Sequence, residues 1–125
     1  MKQEESARHI PATRSKVMQL LGLAQRAGQV VVGGEPVLDQ LRTRRICFLF
    51  LAKDAGANTA KKVRDKCAFY NIAVNESFDR LELGRACGRS SIVVVAVADP
   101  GFATKFQQYL GEISGGEAFG ETSGV

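Results

Sequence analysis

Two rhythms of hydrophobic positions alternate along the chain. Short continuous apolar runs occur at 30–32 (VVV), 46–52 (ICFLFLA), 72–74 (IAV) and 92–98 (IVVVAVA). Rich in β-branched residues and bounded by glycine or charge, they read as strands. The runs at 46–52 and 92–98 have no polar alternation, as expected of central strands covered on both faces. Between the runs, apolar residues recur at helical spacing. Ser15 reads as the cap of a first helix with Val17, Leu20, Leu21 and Ala24 on one face, stopped by Gly28. A second helix follows Gly33-Gly34 and carries Val37, Leu38 and Leu41; Pro36 is tolerable only in its first turn. Arg42, Arg44 and Arg45 close that helix and favour its negative end. Asn58 or Thr59 caps a third, which turns Ala60, Val63 and Cys67 inward and Lys61, Lys62, Arg64 and Lys66 to water. Asp79 and Glu82 form a capping box for a fourth, through Leu83 to Cys87. Asp99-Pro100 opens a fifth, lined by Phe102, Phe106, Tyr109 and Leu110.

Four strands alternating with five helices through short connections place the chain in the α/β class. The predicted architecture is a single-domain three-layer α/β/α sandwich with a four-stranded mixed sheet over residues 14–110. Residues 1–13 are polar, contain Pro11 and show no periodicity, so a flexible N-terminal arm is expected. Residues 111–125, GEISGGEAFGETSGV, are expected to form a disordered acidic Gly-rich tail. The glycine turn at 33–34, the loop at 54–59 and the turn at 88–91 are expected to meet at one edge of the sheet.

Charge and reactive residues narrow the function. The net charge is +4. Glu112, Glu117 and Glu121 follow the last base, Lys105, so the folded body is more basic than the whole chain and suits a polyanionic partner. Cys47, Cys67 and Cys87 are odd in number and far apart, which argues against a disulfide framework or a zinc site and suits a reducing cytoplasm. His9 is the one histidine and lies in the expected arm, so a Ser-His-Asp or Cys-His centre is not expected. The glycine pair lacks the GK[ST] ending of a P-loop and the third glycine of a dinucleotide fingerprint. The reading is a non-enzyme without cofactor or metal. With no bilayer-spanning run and no signal-peptide pattern, it is expected to be cytoplasmic, without membrane contact.

The strand–glycine–helix unit at 30–41 is the candidate site. Such a turn presents backbone N–H groups with no side chain to hold a polymer away. It equally describes an ordinary β-to-α connection whose glycines serve geometry only.

LLGLAQRAGQVVVGGEPVL, FLFLAKDAGANT and FDRLELGRACGRSSIVVVAV together resemble the family of the archaeal large-subunit ribosomal protein seven-Ae. That family includes eukaryotic ribosomal protein thirty-e, a small spliceosomal kink-turn protein and a short bacterial branch often called YlxQ-like. The resemblance covers residues 15–110; LGRACG at Leu83 to Gly88 and the 30–41 unit are its most specific parts. It implies a three-layer α/β/α fold and non-catalytic RNA binding, typically at a kink-turn. Gly33 matches the family's glycine entering the RNA-binding helix, and Gly34 follows it. Glu35-Pro36 stand where kink-turn readers show an Asn-Glu pair, and Asp39 stands where they carry a lysine. Arg80 keeps a basic residue ahead of the LG of LGRACG. Gly88-Arg89-Ser90-Ser91 replaces the apolar loop that covers the bulged nucleotide.

The leading expectation is therefore an RNA-binding protein associated with ribosomes or translation, monomeric, with structured RNA as partner. Gly33, Gly34 and Glu35 at the start of the second helix would approach the backbone. Arg80, Arg85, Arg89 and Ser90 would contact it on one side, and Arg26 or Arg42 on another. The competing reading is a protein-interaction module on the same fold, favoured by Glu35, Pro36 and Asp39. A small-molecule phosphate binder is a third.

Overall fold

A computed structural model of the chain describes residues 2–41, 43 and 46–113. Nine elements follow in order: α1 (Lys2–Arg26), β1 (Val30–Val32), α2 (Gly34–Gln40), β2 (Phe48–Leu51), α3 (Ala57–Phe69), β3 (Ala73–Asn75), α4 (Arg80–Ala86), β4 (Val94–Val97) and α5 (Pro100–Ile113). The strands form one mixed sheet in the order β1-β4-β2-β3. β4 is antiparallel to both β1 and β2, and β2 and β3 are parallel.

The period of two along each strand divides the core. Phe48, Phe50, Val95 and Val97 face one side, against Val17 and Leu21 of α1, Leu83 of α4 and Phe106 of α5. Val31, Leu49, Leu51, Val94 and Ala96 face the other, against Val37 of α2 and Val63 of α3. The result is the expected three-layer α/β/α single domain. Phe48, Phe50, Phe78 and Phe106 form the aromatic centre of the first layer. Phe50 meets Phe106 edge-on at 5.0 Å and Phe78 edge-on at 6.0 Å, the arrangement the ring quadrupole favours.

Several boundaries differ from the sequence reading. Helix one does not begin at Ser15; it runs back to Lys2, through the segment expected to be an arm. Residues 2–8 (KQEESAR) are mostly good helix formers, and the helix runs through Pro11 although that residue lacks the N–H and crowds the preceding turn. Neither Asn58 nor Thr59 caps α3. The cap is Gly56 with extended backbone and no side-chain bond, so Asn58 and Thr59 fall inside the helix. α5 continues beyond Gly111 to Ile113; the rest of the expected tail, 114–125, lies outside the described residues, as do Arg42, Arg44 and Arg45.

The α4 unit forms as its sequence indicates. The Asp79 carboxylate accepts from the Glu82 N–H at 2.8 Å, and Glu82 Oε1 accepts from the Asp79 N–H at 2.9 Å. At the other end Gly88 takes φ 74°. The Arg89 N–H then donates to the Gly84 carbonyl at 2.8 Å and the Gly88 N–H to that of Arg85 at 3.3 Å, a Schellman closure. This turn folds back so tightly that a Cβ on Gly84 would lie 2.6 Å from Ser91 Cα and 2.9 Å from the Arg89 carbonyl oxygen. The glycine of LGRACG therefore holds the 88–91 turn against its helix.

Gly84→Ala should accordingly destabilise the protein. Alanine gains up to about 1 kcal/mol of helix propensity, but overpacking against backbone costs roughly 1–3 kcal/mol. Chemical denaturation should show a lowered midpoint for Gly84→Ala. Gly34→Ala, which has nothing within 4 Å of the added carbon, should stay within about 0.5 kcal/mol of the parent.

Candidate nucleic-acid interface

Because β4 runs against β1 and β2, the C-terminal ends of β1, β2 and β3 and the N-terminal end of β4 lie at one end of the sheet. Four connections therefore meet there, and backbone hydrogen bonds join them. The Gly33 N–H donates to the Val94 carbonyl at 2.9 Å, Ala52 to Val93 at 2.8 Å, Lys53 to Phe78 at 2.9 Å and Ile92 to Arg80 at 3.0 Å. The glycine turn, the loop after β2 and the approach to β4 share this end, as the alternation of elements predicts.

Gly33 adopts φ 105° and ψ 146°, a conformation that a side chain would strain. This turns the chain from β1 directly into α2, whose first i→i−4 bond is Val37 N–H to the Gly33 carbonyl at 3.0 Å. The N–H groups of Gly34 and Glu35 precede that bond and have no acceptor within the helix. A Cβ at Gly34 would meet nothing within 4 Å, so the surface over this turn is open. Glu35 and Pro36 are exposed beside it, and Asp39 is exposed farther along α2, where it borders Lys66 and Tyr70 of α3.

Arg80 is held rather than free. Its Nη2 donates to the Asp54 carbonyl at 2.7 Å, its N–H to Asp54 Oδ1 at 2.9 Å, and its Nε lies 3.4 Å from Asp54 Oδ2. The arginine ahead of the LG motif thus ties the loop after β2 to the start of α4. Arg89 and Ser90 are exposed in the glycine-closed turn next to it, and Lys53 is exposed in the loop.

Arg26 lies elsewhere, and Arg85 faces a groove behind the 88–91 turn. Arg26 is at the C-terminal end of α1, which leads into the start of β1, the opposite end of that strand from Gly33. It shares with Arg85 a groove of about 800 Å³ between α1 and α4. The helices approach closely there: a Cβ on Gly22 would lie 2.9 Å from the Ala86 carbonyl oxygen and 3.3 Å from Arg26 Nη1. The structure therefore gathers Gly33, Gly34, Glu35, Arg80, Arg89 and Ser90, places Arg26 toward the other end of the sheet, and sets Arg85, next to the 88–91 turn, on the α1–α4 groove. Arg42 falls outside the described residues.

The basic face of α3 is half neutralised. Lys61 pairs with Asp65 at 2.8 Å and Arg64 with Glu76 at 2.7 Å, which leaves Lys62 and Lys66 without an ion pair among the described residues. Arg64 holds the Glu76 carboxyl below its ordinary range. Burial pushes the Cys67 thiol up to about 11 and raises Cys87 as well, which makes both poor nucleophiles at neutral pH. Among the described residues no cluster of His, Cys, Asp and Glu could hold a metal ion, and no helix is long and apolar enough to cross a membrane.

Arg14 escaped the sequence reading. Its Nη2 donates to Glu82 Oε2 at 2.9 Å and to the Ser77 carbonyl at 3.1 Å, and its guanidinium sits 4.3 Å from the Phe78 ring centroid. It clamps α1 to the cap of α4. These partners are 63 or more positions away, so no local pattern announces them.

The sequence pattern of the ribosomal protein L7Ae/L30e/S12e/Gadd45 family matches residues 15–107. Two relatives called RNA-binding protein YlxQ are similar along the chain. That of Bacillus subtilis (strain 168) is 48% identical over 91 residues, covering 73% of this chain and 91% of the relative. That of Enterococcus faecium is 36% identical over 97 residues, covering 78% and 93%. Among solved structures, a protein of unknown function from Bacillus halodurans superposes with a TM-score of 0.72 at 40% identity, over 75% of this chain and 95% of the other. The 15.5 kD RNA-binding protein of Giardia lamblia superposes at 0.69 with 15% identity, over 83% and 89%, a likeness of fold.

The Arg80–Asp54 tie predicts a local effect. Asp54→Ala should leave overall stability within about 1 kcal/mol, because the pair is part-exposed. It should nonetheless speed hydrogen exchange at the Arg80 amide, which loses its acceptor, while the Leu83 amide, bonded to Asp79, stays protected.

Proposed function

The chain belongs to the ribosomal protein L7Ae/L30e/S12e/Gadd45 family, and from that premise we propose that it is a non-catalytic RNA-binding protein. In this reading it acts as a monomer in the cytoplasm, in association with ribosomes or translation, and takes structured RNA at the end of the sheet. The observation that carries the proposal is the open Gly33–Gly34 turn at the end of the sheet where the connections bearing Lys53, Arg80 and Arg89 also lie. A backbone without side chains lets phosphates or sugar edges come close, and cations on neighbouring loops supply the sequence-independent attraction. The names of the YlxQ relatives support the same ligand class.

Glu35 and Asp39 shape what such a site selects. A carboxylate offers no donor to a base edge and repels phosphate. Backbone and shape contacts therefore carry more of the affinity than base contacts. A kink-turn, which presents a sharply bent backbone, remains the RNA shape that the family kinship favours. Exposed Glu35, Pro36 and Asp39 also support the second reading, a protein-interaction module. Recovery of partners from lysate with and without nuclease separates the two: RNA-dependent recovery of ribosomal material supports the first, nuclease-resistant single partners the second.

Binding to a kink-turn RNA, compared with an unbent duplex of the same length, tests the site. Gly34→Val should keep cooperative unfolding and lose at least about tenfold in affinity, through a steric block where the parent has open space. Arg89→Ala should weaken binding a few-fold and reduce the salt slope by roughly one phosphate contact, whereas Arg80→Ala should weaken it by loosening the loop that Arg80 ties through Asp54. Glu35→Asn should strengthen kink-turn binding by removing a charge and adding an amide. A folded Gly34→Val protein that binds as tightly as the parent would move the site to Lys62 and Lys66 of α3.

A further inference from the structure

Leu23, Leu81 and Phe69 are the large hydrophobic side chains left exposed among the described residues, at 52%, 57% and 78%. Two of the three belong to the helices that bound the α1–α4 groove. Leu23 lines it directly, with Met18 and Ala86, and Leu81 stands one helical turn before Arg85. At the Arg14 end the groove is neutralised by the Arg14–Glu82 pair. At the other end Arg26 folds back over the side-chain-free surface of Gly22, and Arg85 stands on the facing helix. Neither guanidinium has an ion pair or side-chain hydrogen bond among the described residues. The groove thus offers an apolar patch of Met18, Leu23 and Ala86 between the polar Ser15 and Gln19, and is cationic toward one end. Its complement is an apolar side chain flanked by carboxylates, which is the chemistry of an acidic peptide.

We propose that this occupant is residues 114–125 of the same chain, SGGEAFGETSGV, with Phe119 on the Met18–Leu23 patch and Glu117 and Glu121 against Arg26 and Arg85. Three observations carry it. The segment holds one aromatic residue between two glutamates and has no base, so its charge and apolar content complement the groove. α5 lies against α1, with Lys16 Nζ 5.4 Å from the Tyr109 ring centroid, so the last turns of α5 run along the part of α1 where the groove begins. Length also suffices: Ser15 to Arg26 along α1 is roughly 17 Å, whereas the segment spans up to about 40 Å when extended. Since α5 starts at the sheet end where α1 finishes, the chain must turn back to follow the groove, and Gly115-Gly116 provides the freedom to do so. The family match ends at residue 107, so this device belongs to the chain's own extension. It does not depend on the RNA reading; it would withdraw Arg26 and Arg85 from polyanions and leave the Gly33–Gly34 end open.

Nuclear magnetic resonance on the full-length chain tests it. The Phe119 ring should show nuclear Overhauser contacts to the Met18 or Leu23 methyl groups. A full-length variant with Glu117→Lys, Phe119→Ala and Glu121→Lys should shift amides within 15–26 and 82–86, and the parent's shifts should not change on tenfold dilution. Arg26→Glu with Arg85→Glu, both on exposed positions, should move the 114–125 amides to the shifts of the free synthetic peptide. The proposal is overturned if the parent's 114–125 amides already match that peptide and show no contacts to the groove. It is equally overturned if the contacts vanish on dilution, which would assign the groove to a second copy, or if the amide changes fall outside α1 and α4.

Discussion

β4 is hydrogen-bonded along both edges, to β1 through Val32↔Val95 and to β2 through Phe50↔Val95, and its four side chains are fully buried. That double antiparallel register decides which connections share an end of the sheet. A slip of one residue would send Val95 and Val97 out of the phenylalanine layer and Val94 and Ala96 into it. It would also detach Gly33 from Val94 and Ala52 from Val93. The loops of the candidate interface are therefore set by core packing, and the exposed residues on them inherit their positions from β4.

On that frame, two glycines solve opposite problems. Gly33 is required for its backbone angle, and Gly84 for the space its missing side chain leaves to Ser91 and Arg89. Gly34, between them in kind, has ordinary backbone and open surroundings, so nothing in the fold requires it. A residue with no structural need for its smallness, at the point where the backbone is exposed, is where a close-approaching ligand would explain the choice.

The strands and the caps at Asp79 and Asp99 were legible because each rests on local chemistry. Three valines before a glycine pair, a carboxylate three residues ahead of its helix amide, and an unbroken apolar run identify themselves within a few positions. The helical stretch before Ser15 was not, because it is polar, lacks amphipathic periodicity and contains Pro11. The cap of α3 was missed because glycine leaves no side-chain signature there. The placement of the candidate-site residues was legible in part. Gly33, Gly34, Arg80, Arg89 and Ser90 were predicted and lie together, while Arg26 and Arg85 were predicted and line the α1–α4 groove. Arg14, which joins α1 to α4, required knowledge of pairings across more than half the chain.

The proposed RNA contact is measured most directly by ultraviolet crosslinking in cells followed by mapping of the nucleotide-modified peptides. The account predicts adducts within 33–37, 53–55 and 89–91, with ribosomal or other structured RNA attached. Adducts concentrated on Lys62 and Lys66 of α3 would contradict it, because α3 packs on the side face of the sheet rather than at the end where the loops converge.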